Sequence, residues 1–521
     1  MPTPPQPTVA VAGGGLAGLA AACALSDAGF RVTLFEKRPF LGGRASSYEH
    51  PGTGEVIDNC QHVLFRSCTN LIEFYERIGV ADQIRWSDEM TFIEPGGRAT
   101  VMSSSFLPAP LHTAPSFLRF PFLRAADKLA IARALIPLTL SEQRDTGKSF
   151  REWLDQHHQT EQAINRFWHP ILVSALSEDL DRISISAAAQ VVRVSMMSPA
   201  ARHMGVPALP LTDLYNKAGD YILAREGTLR FREPIQGFAA EASRIELQLR
   251  NQDDAGGSPS PRSMRDGGSF DFLIVALPFD ALERILPQSP ESARLREQIG
   301  HFETAPITGI HLWFDREITD LDHAVLLDRT VQWMFNKSRL QPIRKQKKLA
   351  AGHPHGSAIE QSDRSPKEQR GRAALQGRVD GEEDEGALAP AGSYIELVVS
   401  SSKSLIEKSR AEIVDLALRE VREFFPAARD ANLVKSTVVK EVNATYSPRP
   451  GIDSQRPAAL TLWPRVFLAG DWTATGWPAT MEGAVRSGYL AAQALVHAAG
   501  FADSGFLADD LPPTGLMRLF K

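Results

Sequence analysis

The stretch that decides the fold occupies residues 8–36 and reads TVAVAGGGLAGLAAACALSDAGFRVTLFE. Residues 8–12 form a short apolar run stopped by glycine, which is typical of a fully buried strand. Residues 16–28 are rich in Ala and Leu and predict a helix that ends at Gly29. Residues 31–36 predict a second strand, so the whole stretch is a compact βαβ unit.

The turn between the first strand and the helix has the spacing GxGxxG. It consists of Gly13, Gly14, Gly15, Leu16, Ala17 and Gly18. In such a turn the first glycine permits the bend, the second lets backbone approach a pyrophosphate, and the third lets helix and strand pack closely. Glu36, followed by Lys37, ends the second strand, where a carboxylate accepts hydrogen bonds from ribose hydroxyls. The pattern predicts a dinucleotide site, and a purely structural glycine turn is the alternative.

A second glycine pair follows this unit in the sequence LGGR. Gly43 and Arg44 come shortly after the predicted ribose-binding Glu36. They suit a loop that crosses the pyrophosphate with a guanidinium nearby. A surface turn would be the simpler interpretation if the first motif were missing.

The other end of the chain supplies a matching segment. Residues 466–469 (VFLA) predict a buried strand that runs into Gly470 and Asp471, whose carboxylate suits a ribityl chain. A helix beginning at Thr480 and Met481 can direct N–H groups at an electron-rich flavin ring. An ordinary strand–turn–helix is the alternative interpretation.

These segments resemble those of the amine oxidase and phytoene desaturase superfamily of flavoproteins, in which such motifs wrap one FAD. The match is closer to one branch, the hydroxysqualene dehydroxylases, also called squalene-associated FAD-dependent desaturases. The stretches that carry this likeness are 57–64 (IDNCQHVL), 170–176 (PILVSAL) and 468–486 (LAGDWTATGWPATMEGAVR). Cys60 departs from the wider superfamily, which commonly has glycine there. His62 lies near the flavin in the resembling family and is the candidate catalytic residue, with a hydrogen-bonded structural histidine as the alternative.

The resemblance implies a function for the predicted flavin. It implies FAD-dependent reductive dehydroxylation of hydroxysqualene to squalene, in hopanoid or sterol precursor synthesis, with NAD(P)H or another reductant visiting transiently. A carotenoid-type (phytoene-type) desaturase, which removes hydride from its substrate, is the alternative within enzymes. A flavin-bound lipid carrier without catalysis is the alternative from another class. In both enzyme hypotheses the flavin carries the chemistry and the substrate is an apolar isoprenoid.

The predicted fold is α/β, with a discontinuous Rossmann-type FAD-binding domain and a substrate-binding domain of helices and a mixed sheet. Further buried strands are predicted at 270–277 (FDFLIVAL) and 394–399, and a closing helix at 480–497. The predicted FAD-binding segments are 1–95, 215–290 and 455–500, and the substrate-binding segments are 96–214 and 291–454.

Two polar stretches interrupt this pattern. Residues 251–268 are mostly Gly, Ser, Asp and Pro and predict a loop. Residues 337–392 begin basic, end acidic and look like an insertion relative to the family pattern. Such a composition buries too little surface to offset the entropy of ordering, so we predict disorder, with a charge-patterned docking arm as the alternative.

Residues 106–140 are unusually apolar yet broken by five prolines. They form either core of the substrate domain or an entrance lip that dips into a bilayer. Phe117 and Phe120 beside Arg119 and Arg124 suit the lip. Under that interpretation the protein is cytoplasmic and peripheral on the inner face of the cytoplasmic membrane.

Composition argues against several other classes of protein. A net charge of -5 gives no basic field for a phosphate backbone, so no nucleic-acid partner is expected. The three cysteines form no CxxC pair, which fits a reducing cytoplasm. No Lys or Arg precedes the apolar residues 9–25, which we therefore interpret as strand, turn and helix instead of a signal peptide. No metal site is expected, because the adjacent His157 and His158 cannot share a helix face.

Overall fold

A computed structural model of the chain describes residues 6–51, 54–141, 143–250, 264–341, 392–502 and 505–520. A π-helical turn, Ile164–Trp168, joins two helices of the first half. The helices and strands of the first half are β1 (Thr8–Ala12), α1 (Leu16–Asp27), β2 (Arg31–Glu36), β3 (Ser47–Glu49), β4 (Val56–Asp58), β5 (Leu64–Phe65), α2 (Thr69–Arg77), β6 (Ile84–Ser87), β7 (Glu89–Ile93), β8 (Ala99–Ser103), α3 (Ala114–Arg119), α4 (Ala125–Leu140), α5 (Phe150–Gln156), α6 (Glu161–Ala163), α7 (His169–Leu176), α8 (Ile185–Met197), β9 (Met204–Pro207) and α9 (Leu211–Leu223).

The second half of the chain returns to the first sheet after building a larger one. Its elements are β10 (Thr228–Phe231), β11 (Ile235–Ala240), β12 (Ile245–Arg250), β13 (Met264–Phe270), β14 (Phe272–Val275), α10 (Phe279–Ile285), α11 (Pro290–Gly300), β15 (Thr304–Phe314), β16 (His323–Leu326), β17 (Trp333–Asn336), α12 (Lys337–Leu340), β18 (Ser393–Ser400), α13 (Arg410–Phe424), β19 (Leu433–Tyr446), β20 (Val466–Leu468) and α14 (Met481–Ala498).

Five parallel strands form the sheet that carries the glycine turn, in the order β10-β2-β1-β14-β20. Helices α1, α9 and α14 pack on one face of this sheet, and the antiparallel sheet β11-β12-β13 packs on the other. Both faces of the parallel strands are therefore buried, which explains their nearly continuous apolar sequences. The predicted βαβ unit and the strands at 270–277 and 466–469 are confirmed.

The closing helix packs against α1 with almost no space between the two backbones. A Cβ atom built on Gly488 of α14 would lie 2.2 Å from the carbonyl oxygen of Ala17. A Cβ atom on Gly18 would lie 1.9 Å from the carbonyl oxygen of Gly13. Gly13 has φ +108°, in the region that favours glycine. The turn and both helices can therefore meet only where side chains are missing.

A mixed sheet of seven strands, β19-β15-β18-β17-β16-β7-β8, builds the rest of the protein. All its pairs are antiparallel except β16 with β7. Side chains alternate between its faces: Trp333 and Phe335 join a core with the helices α4–α8, whereas Met334 joins a core with α13. The parallel sheet with this mixed sheet and its helices confirms the predicted fold class.

Two elements begin inside stretches that were predicted as a loop and as an insertion. Strand β13 begins at Met264, inside the predicted loop, because pairing with β12 supplies hydrogen bonds that composition does not reveal. Helix α12 occupies the start of the predicted insertion, because Lys337 is buried. Strand β7, within the predicted segment 1–95, pairs with β8 and β16 of the seven-stranded sheet. Residues 251–263 of the predicted loop and residues 342–391 of the predicted insertion lie outside the described residues.

Residues 106–140 form the short helix α3 and the longer helix α4. Phe120 and Ile131 are buried in the core, whereas Leu118 and Ile136 are 66% and 58% exposed. One face of this stretch is thus core, and the other presents apolar side chains outward. Within the described ranges, no helix is both long and apolar enough to cross a bilayer.

Candidate functional site

The carboxyl ends of β1, β2, β14 and β20 open into a single large cavity of about 1240 Å³. Ligand sites of open α/β sheets lie at this edge, because the loops after parallel strands converge there. Of the predicted site residues, only Gly14 and Gly18 do not line it. Those that do are Gly13, Gly15, Leu16, Ala17, Glu36, Lys37, Gly43, Arg44, His62, Gly470, Asp471, Thr480 and Met481.

Glu36 ties together the loops at this edge. Its Oε2 accepts a hydrogen bond from the Gly14 amide at 2.7 Å, and its Oε1 accepts one from the Arg38 amide at 2.8 Å. The Arg38 guanidinium in turn donates to the carbonyl oxygen of Gly43 at 2.7 Å. Glu36 therefore fixes the glycine turn to the end of β2, and Arg38, which the motifs did not single out, holds the GGR loop.

Gly15 marks the point where the cavity meets the N-terminus of α1. A Cβ atom there would contact only the Cα of Gly43, at 3.9 Å. The space in front of Gly15 is open, and the first amides of α1 have no acidic side chain near them in the first turn. This arrangement fits an anionic group such as a pyrophosphate.

Arg44 and Asp471 meet across the cavity from opposite ends of the chain. Arg44 Nη2 lies 2.6 Å from Asp471 Oδ1, and Arg44 Nη1 donates to the carbonyl oxygen of Ala444 at 2.7 Å. Asp471 is buried. The ion pair joins two loops that the sequence assigned separately to one cofactor.

Arg456 orders the loop that follows Asp471, and no sequence motif pointed to it. Its buried Nη2 donates to the carbonyl oxygens of Asp471 at 3.1 Å and Trp477 at 2.7 Å, and to Thr475 Oγ1 at 3.2 Å. It also donates to the carbonyl oxygen of Thr473. One guanidinium thus holds the backbone of the whole segment that leads to α14.

Helix α14 begins at the cavity wall. Thr480 caps it, because its Oγ1 accepts the Gly483 amide at 3.0 Å. Glu482, fully buried in the first turn, accepts hydrogen bonds from the amides of Asn70 and Leu71 at 3.2 and 2.8 Å. Glu482 therefore also caps α2, so the N-termini of the two helices are tied together beside the cavity.

His62 lines the middle of the cavity. Its Nδ1 lies 2.7 Å from the carbonyl oxygen of Cys60, which can only accept, so Nδ1 carries the proton. Burial lowers the pKa of His62, so its ring is neutral near pH 7. The remaining nitrogen, Nε2, is then an acceptor.

A buried charged cluster supports the segment that contains His62. Lys337 Nζ lies 2.7 Å from Asp58 Oδ2, 2.9 Å from Gln61 Oε1 and 3.4 Å from Glu396 Oε2. All four residues are buried. Burial raises the pKa of Glu396 to about 7, against the attraction of Lys337. No sequence motif indicated Lys337 or Glu396. A lysine at the start of a basic stretch is ordinarily exposed to solvent, so its burial was not expected.

The rest of the cavity is apolar. Helices α3, α4, α7 and α8, the π-helical turn and the seven-stranded sheet supply its walls. The lining side chains include Met90, Phe92, Met102, Phe117, Leu135, Ile136, Phe167, Ile171, Val191, Val194, Val325, Trp333, Phe335 and Val398. Among the described lining residues that these elements and their adjoining loops contribute, two are charged: Glu441 of β19, which interacts with the charge of Arg44, and Arg202.

The chain belongs to the flavin containing amine oxidoreductase family, which its sequence matches over residues 16–496. Membership implies FAD. The glycine edge fits that cofactor, with open space at Gly15, a carboxylate at Glu36 and the Arg44–Asp471 pair opposite. In the described part of the chain, no three His, Cys, Asp or Glu side chains group together as metal ligands would.

Several named proteins and solved structures are similar to this chain. A Synechococcus elongatus protein named "Probable zeta-carotene desaturase" is 26% identical over 95% of this chain and 99% of its own length. The 15-cis-phytoene desaturase of the same organism is 26% identical, over 94% and 95%. A solved oxidoreductase from Methanosarcina mazei has the same fold, with a TM-score of 0.64 at 15% identity, over 92% and 98% of the two chains. These relatives match the desaturase alternative better than the hydroxysqualene dehydroxylases that the short motifs suggested.

Gly15→Val should remove the flavin without unfolding the protein. The backbone at Gly15 (φ -79°, ψ 177°) accepts any side chain, and the added carbons would fill the space for the pyrophosphate. We expect a folded, colourless protein with less than about a tenth of the wild-type flavin. Gly488→Ala should instead lower the thermal unfolding midpoint, because its Cβ meets backbone. Flavin absorbance and circular dichroism report the two effects, with Gly300→Val, in open space, as the control. Full flavin occupancy in Gly15→Val would show that this turn does not hold the cofactor.

Glu396→Gln should change how stability depends on pH. The folded protein keeps a proton on Glu396 up to a pKa of about 7, whereas the ordinary value is 4.5. Between these values the folded state binds more protons, so the free energy of unfolding falls as pH rises. We expect the wild-type melting midpoint to drop by a few degrees more than that of Glu396→Gln between about pH 5 and 8. Glu297→Gln, at an exposed carboxylate, should behave as wild type. Parallel pH profiles for wild type and Glu396→Gln would contradict the assignment.

Proposed function

We propose that the protein is an FAD-dependent oxidoreductase that acts on a long apolar isoprenoid, and that its reaction is carotenoid-type desaturation. The observation that carries the proposal is one continuous cavity. It joins the loops at the carboxyl ends of the parallel strands, the cofactor edge, to apolar walls. Its volume of about 1240 Å³ exceeds that of ordinary ligand pockets, about 300–1,000 Å³, so it can hold a cofactor and a second molecule.

The apolar walls argue against an amine substrate. A cationic amine needs a carboxylate or an aromatic cage that compensates its charge. Among the described lining residues from the helices and the seven-stranded sheet, Glu441 of β19 alone is acidic, and its charge interacts with that of Arg44. A neutral hydrocarbon chain is therefore the better match, and burial of its surface supplies the binding free energy.

His62 favours the direction of desaturation. Removal of two hydrogens from a saturated carbon pair yields a hydride and a proton, and FAD, when bound, supplies the hydride acceptor. The neutral ring of His62, with Nδ1–H bonded to Cys60, offers Nε2 as the proton acceptor at the cavity wall. Apolar residues that line the same cavity, such as Ile171 and Trp333, would exclude water from the reacting carbons.

Dehydroxylation of hydroxysqualene is the second candidate, and the motif resemblance at 57–64 and 468–486 favours it. This reaction needs a proton for the departing hydroxide and a hydride for the carbon, which a reductant such as NAD(P)H must first supply. Among the described lining residues from the helices and the seven-stranded sheet, the one carboxyl is that of Glu441, which interacts with the charge of Arg44, and no lysine is present to donate that proton. The lipid-carrier alternative requires that neither reaction occurs.

Anaerobic mixing of the FAD-loaded protein with each substrate distinguishes these candidates. We expect phytoene or zeta-carotene to bleach the oxidised flavin and to gain a double bond, as detected by mass spectrometry. His62→Gln should slow bleaching by about a hundredfold while its flavin content stays unchanged. If the chemically reduced enzyme is reoxidised by hydroxysqualene while squalene appears, dehydroxylation is correct and desaturation is wrong. If no substrate changes the spectrum, the protein is a carrier.

We infer that the exposed apolar face of residues 106–140 lies against anionic membranes, where an isoprenoid would be taken up. Leu118 and Ile136 project beside Arg119 and Arg133 on this face. Replacing both apolar residues with serine should weaken sedimentation with anionic vesicles by about tenfold, and salt should weaken that of the wild type. Leu462→Ser, at a residue that is 65% exposed elsewhere, should have no effect. If the protein sediments equally with and without vesicles, the membrane proposal is wrong and residues 106–140 serve only as core of the substrate domain.

A further inference from the structure

Arg202 is a cation without a partner inside the apolar half of the cavity. It ends the short turn Pro199–Arg202 between α8 and β9 and lines the cavity beside Ala201. Two other partly buried arginines that line or adjoin this region have carboxylate partners: Arg44 pairs with Asp471, and Arg166 pairs with Asp328. Among the described residues, none gives the Arg202 side chain an ion pair or a hydrogen bond.

The surroundings of Arg202 do not compensate its charge. Burial lowers the pKa of Arg202 to about 10, so it remains a cation near pH 7. Its titratable neighbour is His112, which is fully buried and whose two ring nitrogens lack hydrogen-bond partners among the described residues. Burial, and then the charge of Arg202, lower the pKa of His112 to about 4, so that ring is neutral. An uncompensated cation in apolar surroundings costs free energy that a bound anion would recover.

This part of the cavity reaches the surface. Leu111, next to His112, lines the cavity and is 47% exposed. Ile136 and Leu140 of α4 likewise line the cavity and are exposed. A molecule that enters the cavity here passes the guanidinium, and its hydrocarbon part can continue along the apolar walls.

We propose that Arg202 binds an oxyanion, a carboxylate or a phosphate, at the end of a long apolar chain whose hydrocarbon part lies in the cavity. The planar guanidinium can donate two parallel hydrogen bonds to either group. The proposal deepens the proposed function, because it extends the substrate class from pure hydrocarbons to chains with one acidic end. It needs only the cavity and its charge, and does not depend on the direction of hydride transfer.

Calorimetric binding to the FAD-loaded, full-length protein tests the proposal with three probes of equal chain length: dodecanoate, dodecyl phosphate and dodecanol, below their micelle concentrations. We expect at least one anion to bind about tenfold more tightly than dodecanol, which corresponds to about 1.4 kcal/mol. Arg202→Gln should abolish this preference and leave dodecanol binding unchanged. Arg202→Lys should keep part of it, and Arg294→Gln, at an exposed arginine on α11 outside the cavity lining, should keep all of it.

The two anions also distinguish the source of the ligand. Preference for the carboxylate indicates an acid such as an oxidised isoprenoid or a fatty acid, and preference for the phosphate indicates a phosphorylated lipid. Equal affinities of all three probes for the wild type, or an anion preference that persists in Arg202→Gln, would overturn the proposal. Dodecanol binding reports an intact cavity in each variant. Because no probe is turned over, failure here leaves the redox proposal standing, and an inactive redox site leaves this binding test valid.

Discussion

The close contact between α1 and α14 is the constraint on which the rest of the protein depends. Gly488 of α14 has no room for a Cβ atom, because that atom would lie 2.2 Å from the carbonyl oxygen of Ala17, so the first and last helices meet backbone to backbone. This contact brings the glycine turn after β1 and the segment after β20 to the same edge of one parallel sheet. The Arg44–Asp471 ion pair then closes that edge with groups 427 positions apart in sequence. Much of the chain between these ends folds outside the parallel sheet, and the helices and the seven-stranded sheet that it forms supply the apolar half of the cavity.

Two kinds of surface therefore face each other across one space. The cofactor edge is polar and rigid, because Glu36 and Arg456 hold its loops through hydrogen bonds to backbone amides and carbonyls. The opposite walls are largely apolar and come from helices α3, α4, α7 and α8, the π-helical turn and the seven-stranded sheet. Lys337 stabilises the segment that contains His62, because its Nζ donates a hydrogen bond to Gln61 Oε1. Such a division suits a reaction in which the cofactor supplies the chemistry and the protein positions an apolar chain and excludes water.

Much of the cofactor edge could be predicted from sequence, because its signals are local. The apolar strand, the glycine spacing and the acidic residue at the end of β2 all lie within residues 8–36. Lys337 could not be predicted, because its burial depends on Asp58, 279 positions away. Arg456 could not be predicted, because it donates mostly to backbone carbonyl oxygens, which no side-chain pattern marks. The motifs could not identify the substrate either. Residues 468–486 lie where the cofactor would bind, so their sequence reports on the cofactor and not on the substrate. The apolar cavity walls, which would determine substrate specificity, come from positions on several helices and strands that are far apart in sequence. Only the folded chain brings these positions together.

The central claim is that a long apolar chain bound in this cavity reaches the flavin, and the visible absorption of the flavin tests it most directly. Addition of squalene, which carries no charge, to the FAD-loaded protein should shift the flavin spectrum in a saturable manner. Ile171→Trp, which fills the apolar half away from the glycine edge, should retain FAD and abolish the shift. A spectrum unchanged by squalene in the wild type, or an equal shift in Ile171→Trp, would contradict the account.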